Sequence, residues 1–330
     1  MLWYKNIMIP NSNASLSETL PRQIRKDPFR IVLCSTFAIV FLGLFFGALR
    51  PAAADWRPLV ERLSADGFDR PTVEALFARP EVRFEPDAMA DKIAALVRNR
   101  SDGPNSTPVR LKNAVRRGYL SDRVIKRAHS YALENIDILE EINAIYGVPK
   151  EIVISIFLIE TNLGRNTGNH CVFNRLASMA LSTDLEAVRP YLNGDLITPD
   201  NEAFARRRCH EKSDWAYDEI KALLRLAERD GADPLGIRGS IYGAIGLCQF
   251  MPSNVFAFGV DADRDGRIDP FAKTDALCSI ANYLRGHGWR PKMERNEQHS
   301  VIFDYNHSTV YANTVLAISD KLKERSRTRP

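Results

Sequence analysis

Between residues 56 and 325 the apolar side chains of this 330-residue chain recur three and four positions apart. Nowhere do they alternate for long enough to build a large sheet. The stretches LVERLSADGF, RPTVEALFARP and DAMADKIAALVRN read as short helices punctuated by Gly and Pro. A polar loop over 101–108 follows them. A long helix is predicted over 121–146, with Ile125, Ala128, Ala132, Ile136 and Leu139 on one stripe. Gly147-Val148-Pro149 then breaks the chain and starts the next helix, with Pro149 at its first position. Further helices are expected over 215–229, stopped by Gly231, and over 274–285 and 311–325. Residues 165–214 read as irregular and polar, and small β pieces are allowed around 165–200 and 260–305. The fold class is therefore mainly α, with no internal repeat and no low-complexity tract.

One residue breaks this apolar logic. In EIVISIFLIETNLG, helical spacing puts Val153, Ile156, Phe157 and Glu160 on one face, so a carboxyl stands where the pattern demands a hydrophobe. A carboxyl held against apolar groups loses hydration, which favours its neutral, proton-carrying form. That is what a general acid needs near neutral pH. Gly164 is expected to end the helix, which leaves Glu160 near an opening. The bland alternative is a Glu that turns outward in the last turn.

The first 54 residues differ from the rest. Arg22, Arg25, Lys26 and Arg30 precede an uncharged run over 31–49, then Arg50-Pro51 and Ala52-Ala53-Ala54. This is the layout of a secretory signal cleaved after Ala54, and the run is also long enough to serve as a membrane anchor. The charge follows the same division. The leader holds six basic and two acidic residues, leaving 39 of each sign in 55–330. The net +4 is thus a property of the leader, and the folded part offers no basic patch for nucleic acid. Cys34 lies in the apolar run; Cys171, Cys209, Cys248 and Cys278 would enter an oxidising compartment. There, an even count predicts two disulfides with three possible pairings, against four buried thiols.

A second acidic feature lies at DADRDGRID. Asp261, Asp263, Asp265 and Gly266 match positions 1, 3, 5 and 6 of an EF-hand loop, but position 12 is Ala272 rather than Glu. An Asp-rich turn without metal is the alternative. The six histidines show no zinc spacing, and His287 and His307 read as polar loop residues.

GSIYGAIGLCQFMPS, VDADRDGRIDPFAKTDA, SIANYLRGHGW and YNHSTVYANTVL, with Glu160 in IETNLG, together resemble the lytic murein transglycosylases of the B type, over about 56–322. The resemblance implies a lysozyme-like catalytic core at 121–325 with an N-terminal helical lobe at 55–120 and a basic tail at 326–330. It implies a periplasmic, monomeric enzyme acting on peptidoglycan glycan strands without an organic cofactor. Glu160 would protonate the leaving oxygen and then serve as base, with the C6 hydroxyl of N-acetylmuramic acid attacking. Ser240, Tyr242, Gln249, Tyr305 and Asn306 would line the sugar groove, Phe250 and Met251 its floor, and Arg207 or Arg208 would meet a substrate carboxylate. The metal loop is longer in such relatives. Asp261, Asp263, Asp265, the Arg267 carbonyl and Asp275 at its fifteenth position would hold a structural Ca²⁺. The resemblance also selects Cys248–Cys278 and Cys171–Cys209 as the disulfides. A hydrolytic muramidase, which would need a second carboxylate, and a silent wall-binding scaffold are the competing readings. Asp184, Glu186, Asp195 and Asp200 are the acids available for that second role.

Overall fold

The computed structural model describes residues 54–100 and 113–328. The leader up to residue 53, Cys34 within it, and the loop over 101–108 lie outside the described residues. The helices are α1 (Arg57–Ala65), α2 (Arg70–Phe77), α3 (Asp87–Arg98), α4 (Asp122–Glu134), α5 (Ile136–Tyr146), α6 (Lys150–Thr161), α7 (Val172–Leu181), α8 (Leu185–Val188), α9 (Pro199–Asp230), α10 (Pro252–Phe258), α11 (Lys273–Gly286), α12 (Arg295–Tyr305) and α13 (Thr309–Thr328). Single 3₁₀ turns occur at Arg117–Leu120 and Arg189–Tyr191. The strands β1 (His170–Cys171) and β2 (Arg238–Gly239) pair antiparallel, His170 opposite Gly239. No named strand falls in 260–305.

At the centre stands α6, in which every residue from Ile152 to Thr161 is buried. It packs on α13, α4, α5 and α11. Glu160 is thus enclosed on a helix buried all round, rather than on one face of an amphipathic one. The helices α1 and α3 pack on α7, α3 also meets α9, and buried residues of α1–α3 join the same core cluster as α6. Buried Arg175 on α7 fastens this region to the catalytic blocks. Its Nε donates to the Ile241 carbonyl at 2.8 Å, and its Nη1 to Asp87 at 2.5 Å and Glu85 at 3.2 Å.

Three predicted elements differ. The helix expected over 121–146 breaks at Asn135 (φ −125°), whose side-chain amide donates to the Tyr131 carbonyl at 2.8 Å and competes with the helical ladder. The segment expected to be irregular over 165–214 holds α7 and the first half of α9, a 32-residue helix begun by a Thr198–Asn201 capping box. Its polar look has a physical cause. The exposed side is laced by ion pairs such as Arg206–Glu202 at 3.0 Å, and the buried stripe is made of Ala205, Cys209, Ser213 and Ala216, too small and polar to register as a hydrophobic face. Pro149 serves as N-cap rather than first helical residue.

Among the described residues no single helix is long and apolar enough to cross a membrane. The bent pair α5–α6 meets the composition test, but turns by 113° and supplies core.

Candidate active site

Glu160 lies in the last turn of α6, 6% exposed. The helix does not run on to Gly164. It ends at Asn162 (φ 55°), followed by Leu163 (φ 63°) and Gly164 (φ 83°), three left-handed residues in succession. Asn tolerates this conformation best among ordinary residues, whereas Leu is strained there. Thr161 holds the turn: its hydroxyl accepts from the Gly164 amide at 3.0 Å and lies 3.3 Å from the carbonyl of Leu247, in the block that ends in QFMPS.

The following loop comes back against that block through two glycines. A Cβ on Gly168 (φ 88°) would stand 2.1 Å from the Gly239 carbonyl oxygen, so only glycine permits the approach. Ser240 then braces a turn, its hydroxyl accepting from the amides of Ala244 at 3.0 Å and Tyr242 at 3.4 Å. Buried Tyr242 donates to the Asp91 carbonyl at 3.5 Å, with the Lys92 ammonium 4.3 Å from its ring centre. Gln249 (φ 53°) donates its amide nitrogen to the carbonyls of Gly246 at 2.9 Å and Thr167 at 3.0 Å. Both N–H donors are engaged, and the amide oxygen is what remains to accept from a ligand. Phe250 and Met251 are core. Ser253 begins α10 under control of buried Glu219, which accepts from its hydroxyl at 2.8 Å and its amide at 3.0 Å.

Three phenols lie near enough to the Glu160 carboxylate to feel its charge. Tyr305 closes α12 and donates to the Cys248 carbonyl at 2.6 Å. Its ring lies parallel to that of Tyr311, 6.4 Å away, and edge-on to Tyr283 at 4.9 Å. Burial first, then the nearby Cys248 and the Glu160 charge, hold the Tyr305 hydroxyl well above its ordinary pKa. Tyr311 is shifted the same way by burial and by Glu160 beside it. Its hydroxyl is buried and close to the carboxylate, but not aligned in a formed hydrogen bond. Tyr119, from the 3₁₀ turn, is raised by burial, opposed by Arg116, and raised further by Glu160. All three phenols are therefore protonated at neutral pH; the Tyr305 O–H is given to Cys248, and those of Tyr119 and Tyr311 can donate toward a carboxylate. Among the described residues the other buried acids are engaged elsewhere, Glu219 with Ser253 and Asp275 with the amides of Ala262 and Asp269. Asn306 completes the cluster, 6% exposed, with its amide oxygen buried and unpaired.

Sequence reasoning brought Glu160, Ser240, Tyr242, Gln249, Tyr305 and Asn306 forward and missed Tyr119 and Tyr311. Tyr311 stands at the head of an apolar helix, where an aromatic reads as core. The polar surroundings of Tyr119 carry no pattern at all.

The other candidate acids, Asp184, Glu186, Asp195 and Asp200, are all exposed. Asp184 caps α8 and pairs with Arg206 at 2.9 Å. Glu186 is held down to about 2 by its hydrogen bonds to Arg189 and Arg206. Asp200 lies in the first turn of α9. Arg207 points to solvent on α9, 3.7 Å from Glu211. Arg208 pairs with Glu211 at 2.6 Å. His287 stacks on Tyr283 at 4.0 Å, and His307 packs edge-on to Phe303.

In the acidic loop the carboxylates of Asp261, Asp263 and Asp265 converge, one ligand atom of each within 4.8 Å of the others. An N–H from Asp265 works against it, but burial and the charges of Asp265, Asp275 and Asp261 raise the Asp263 pKa above its ordinary value. That crowding of like charge suits a divalent cation with oxygen ligands. Buried Asp275 sits apart from the trio as the loop's clasp, accepting from the amides of Ala262 and Asp269, each at 2.9 Å.

The two expected disulfides are corrected: Cys171, Cys209, Cys248 and Cys278 are free. Cys171 and Cys209 instead point their thiols at the carbonyls of Leu235 (3.5 Å) and Ser182 (3.3 Å). Burial pushes the Cys209 thiol up to about 11 and the Cys278 thiol up to about 12, so both stay protonated and inert.

Known proteins match this chain in sequence and in fold. The model of the transglycosylase SLT domain family matches residues 51–298, and the chain belongs to that family. The membrane-bound lytic murein transglycosylase B of Escherichia coli K12 is 27% identical over 231 residues, 68% of this chain and 54% of that protein. The chain thus spans about half the length of this curated relative. Among solved structures, the Escherichia coli lytic transglycosylase Slt35 in complex with calcium superposes with a TM-score of 0.61 at 21% identity, covering 84% of this chain and 95% of that one. SltB3 of Pseudomonas aeruginosa in complex with NAG-NAM-pentapeptide gives 0.58 at 20%, covering 82% and 78%. At these identities the likeness establishes the fold.

Proposed function

We propose that this chain is a peptidoglycan lytic transglycosylase, cleaving the β-1,4 bond between N-acetylmuramic acid and N-acetylglucosamine without water. The observation that carries this is that, of the buried carboxylates among the described residues, Glu219 is given to Ser253 and Asp275 to loop amides, whereas Glu160 lies among protonated phenols. A hydrolytic glycosidase ordinarily needs two carboxylates flanking the bond. Here one group performs both proton transfers. Glu160 gives its proton to the leaving 4-oxygen of N-acetylglucosamine. The C6 hydroxyl of the muramyl residue then bonds to C1, and its proton passes to the Glu160 carboxylate. The product ends in 1,6-anhydro-muramic acid and the enzyme is restored. Tyr311 steadies the carboxylate as it changes charge, Tyr305 lines the groove with its hydroxyl on the Cys248 carbonyl, and the Gln249 and Asn306 amide oxygens accept from sugar hydroxyl or N-acetyl groups. Ser240 and Tyr242 shape the groove wall, and Arg207 is the candidate for a substrate carboxylate.

Asp261, Asp263, Asp265, the Arg267 carbonyl and Asp275 would hold Ca²⁺. The ion would be structural, and the Slt35 complex with calcium supports this reading. Residues 55–120 act as a helical lobe alongside the lysozyme-like core. The leader over 1–54 delivers a monomer to the periplasm. The name of the membrane-bound relative supports an envelope location.

Mass spectrometry of soluble products from peptidoglycan tests the proposal. Ends about 18 mass units below the reducing form are expected, since no water is added. Reducing ends would establish hydrolysis and sink the mechanism.

A further inference from the structure

Many surface arginines of this chain are matched by acids. Arg206 alone meets Asp184, Glu186 and Glu202, all within 3.0 Å. Three arginines beside the Glu160 helix are different. Arg123 and Arg127 stand four apart on α4, hence on one face. Arg165 comes from the turn five residues after Glu160. The three lie close enough that Arg165 and Arg123, after burial itself, depress the Arg127 pKa. Among the described residues none of the three forms a salt bridge, and Asp122, the acid next to Arg123, is engaged by Arg325 at 2.8 Å. Arg127 donates through Nη2 to the Asn162 side-chain oxygen, two residues past Glu160. Its Nε is buried and meets no acceptor. Three like charges gathered around an unmet donor are unfavourable until an anion joins them.

We propose that Arg123, Arg127 and Arg165 form a carboxylate-reading site beside the end of the Glu160 helix, which grips the acidic peptide stems of the glycan strand and favours peptide-bearing over bare glycan. This rests on the function proposed above. Guanidinium forks match carboxylates in plane and spacing. Peptide stems branch from muramyl residues, so their carboxylates travel with the sugar whose bond Glu160 would break. Asn162 joins the two, since it both takes the Arg127 hydrogen bond and opens the left-handed turn after Glu160.

The test compares KM for the full chain on three substrates: peptide-bearing strands, the same strands with carboxylates amidated, and strands stripped by an amidase. The wild type should show a KM several-fold lower on the first than on the other two. Arg123→Gln, an exposed change that leaves folding intact, and Arg165→Gln should each shrink that ratio by about five-fold or less, the scale of one exposed charge contact. The triple variant with Arg127→Gln should bring it near one. An unchanged ratio in the triple variant overturns the proposal, as does an equal loss on all three substrates or a wild type that treats amidated strands like acidic ones. Absence of anhydro products from every strand would instead overturn the function reading, which separates the two failures.

Discussion

Glu160 and the acids of the 261–275 loop put the same functional group in opposite surroundings. Glu160 is buried, with phenols among its neighbours. Asp263 and Asp265 are exposed, bunched with Asp261, and have each other as neighbours. The first arrangement suits proton transfer, because a buried carboxyl beside protonated phenols can pass a proton to a ligand held against it. The second makes a divalent cation the natural partner, because repulsion is relieved fastest by a double positive charge. A carboxylate's job in this fold is therefore set by the number of its acidic neighbours and by its depth.

Breaking the first arrangement has the largest effect. Glu160→Gln keeps shape and burial but removes the proton. Activity should fall by about 10²–10⁴-fold, the usual share of general acid–base catalysis, while the unfolding temperature holds or rises. Kinetics on peptidoglycan alongside a melting curve checks both halves. Full activity in this variant would end the single-carboxylate mechanism.

The second arrangement should answer to metal instead. Calcium at a hundred times its dissociation constant stabilises by about 2.7 kcal/mol if it binds the folded state alone. For a domain of this size that is roughly 5–10 °C of melting temperature. A chelator should remove the gain, and Asp265→Asn should blunt it. Turnover at low temperature should stay level throughout. A chelator that abolished turnover without changing the melting curve would make the ion catalytic and collapse the contrast between the two regions.

The two regions were also unequally legible in the sequence. The acidic loop could be read residue by residue, because metal ligation is encoded in local spacing: Asp261, Asp263, Asp265 and Gly266 are where their positions say. Asp275, assigned as a ligand by position, also accepts from two backbone amides that close the loop, which no spacing pattern announces. Glu160 was legible as a polar residue in an apolar helix. Its shell was legible in part, since Tyr119 and Tyr311 reach it from segments 41 residues before and 151 after, by packing that no local pattern records. The same limit hid α9, whose buried stripe of small residues carries a weak hydrophobic signal, and the break at Asn135, where one side-chain hydrogen bond outweighs a continuous apolar stripe.

A finer probe of the Glu160 shell is Tyr311→Phe. It removes one hydroxyl and little volume, so a fall of about ten-fold in kcat is expected, equal to about 1.4 kcal/mol of lost stabilisation. The pH behaviour sharpens it. The folded pKa of Tyr311 lies above its unfolded value of 10.0. The unfolded chain therefore loses this proton first, and stability present below pH 10 declines as pH rises beyond it. Tyr311→Phe should lessen that alkaline loss of stability and leave the acid side alone. An alkaline profile identical to wild type would place the hydroxyl outside the buried shell.

The smallest effect expected is that of a reductant, and it bears on whether the two regions act as one. A Cys248–Cys278 bond would have joined them covalently. The Cys248 carbonyl anchors Tyr305 beside Glu160, and Cys278 sits one turn along α11 from Asp275, the clasp of the acidic loop. With both thiols free, what links the regions is packing: α11 runs from Asp275 to Tyr283, whose ring meets Tyr305 at 4.9 Å. A packed helix transmits position but adds no chain-closure entropy, whereas a disulfide ordinarily contributes about 2–4 kcal/mol. Melting curves of the full chain with and without reductant should therefore coincide, and Cys278→Ala should cost no more than a small core truncation. A drop of several degrees on reduction would restore the covalent link, and with it a direct path by which metal loss could disturb Tyr305.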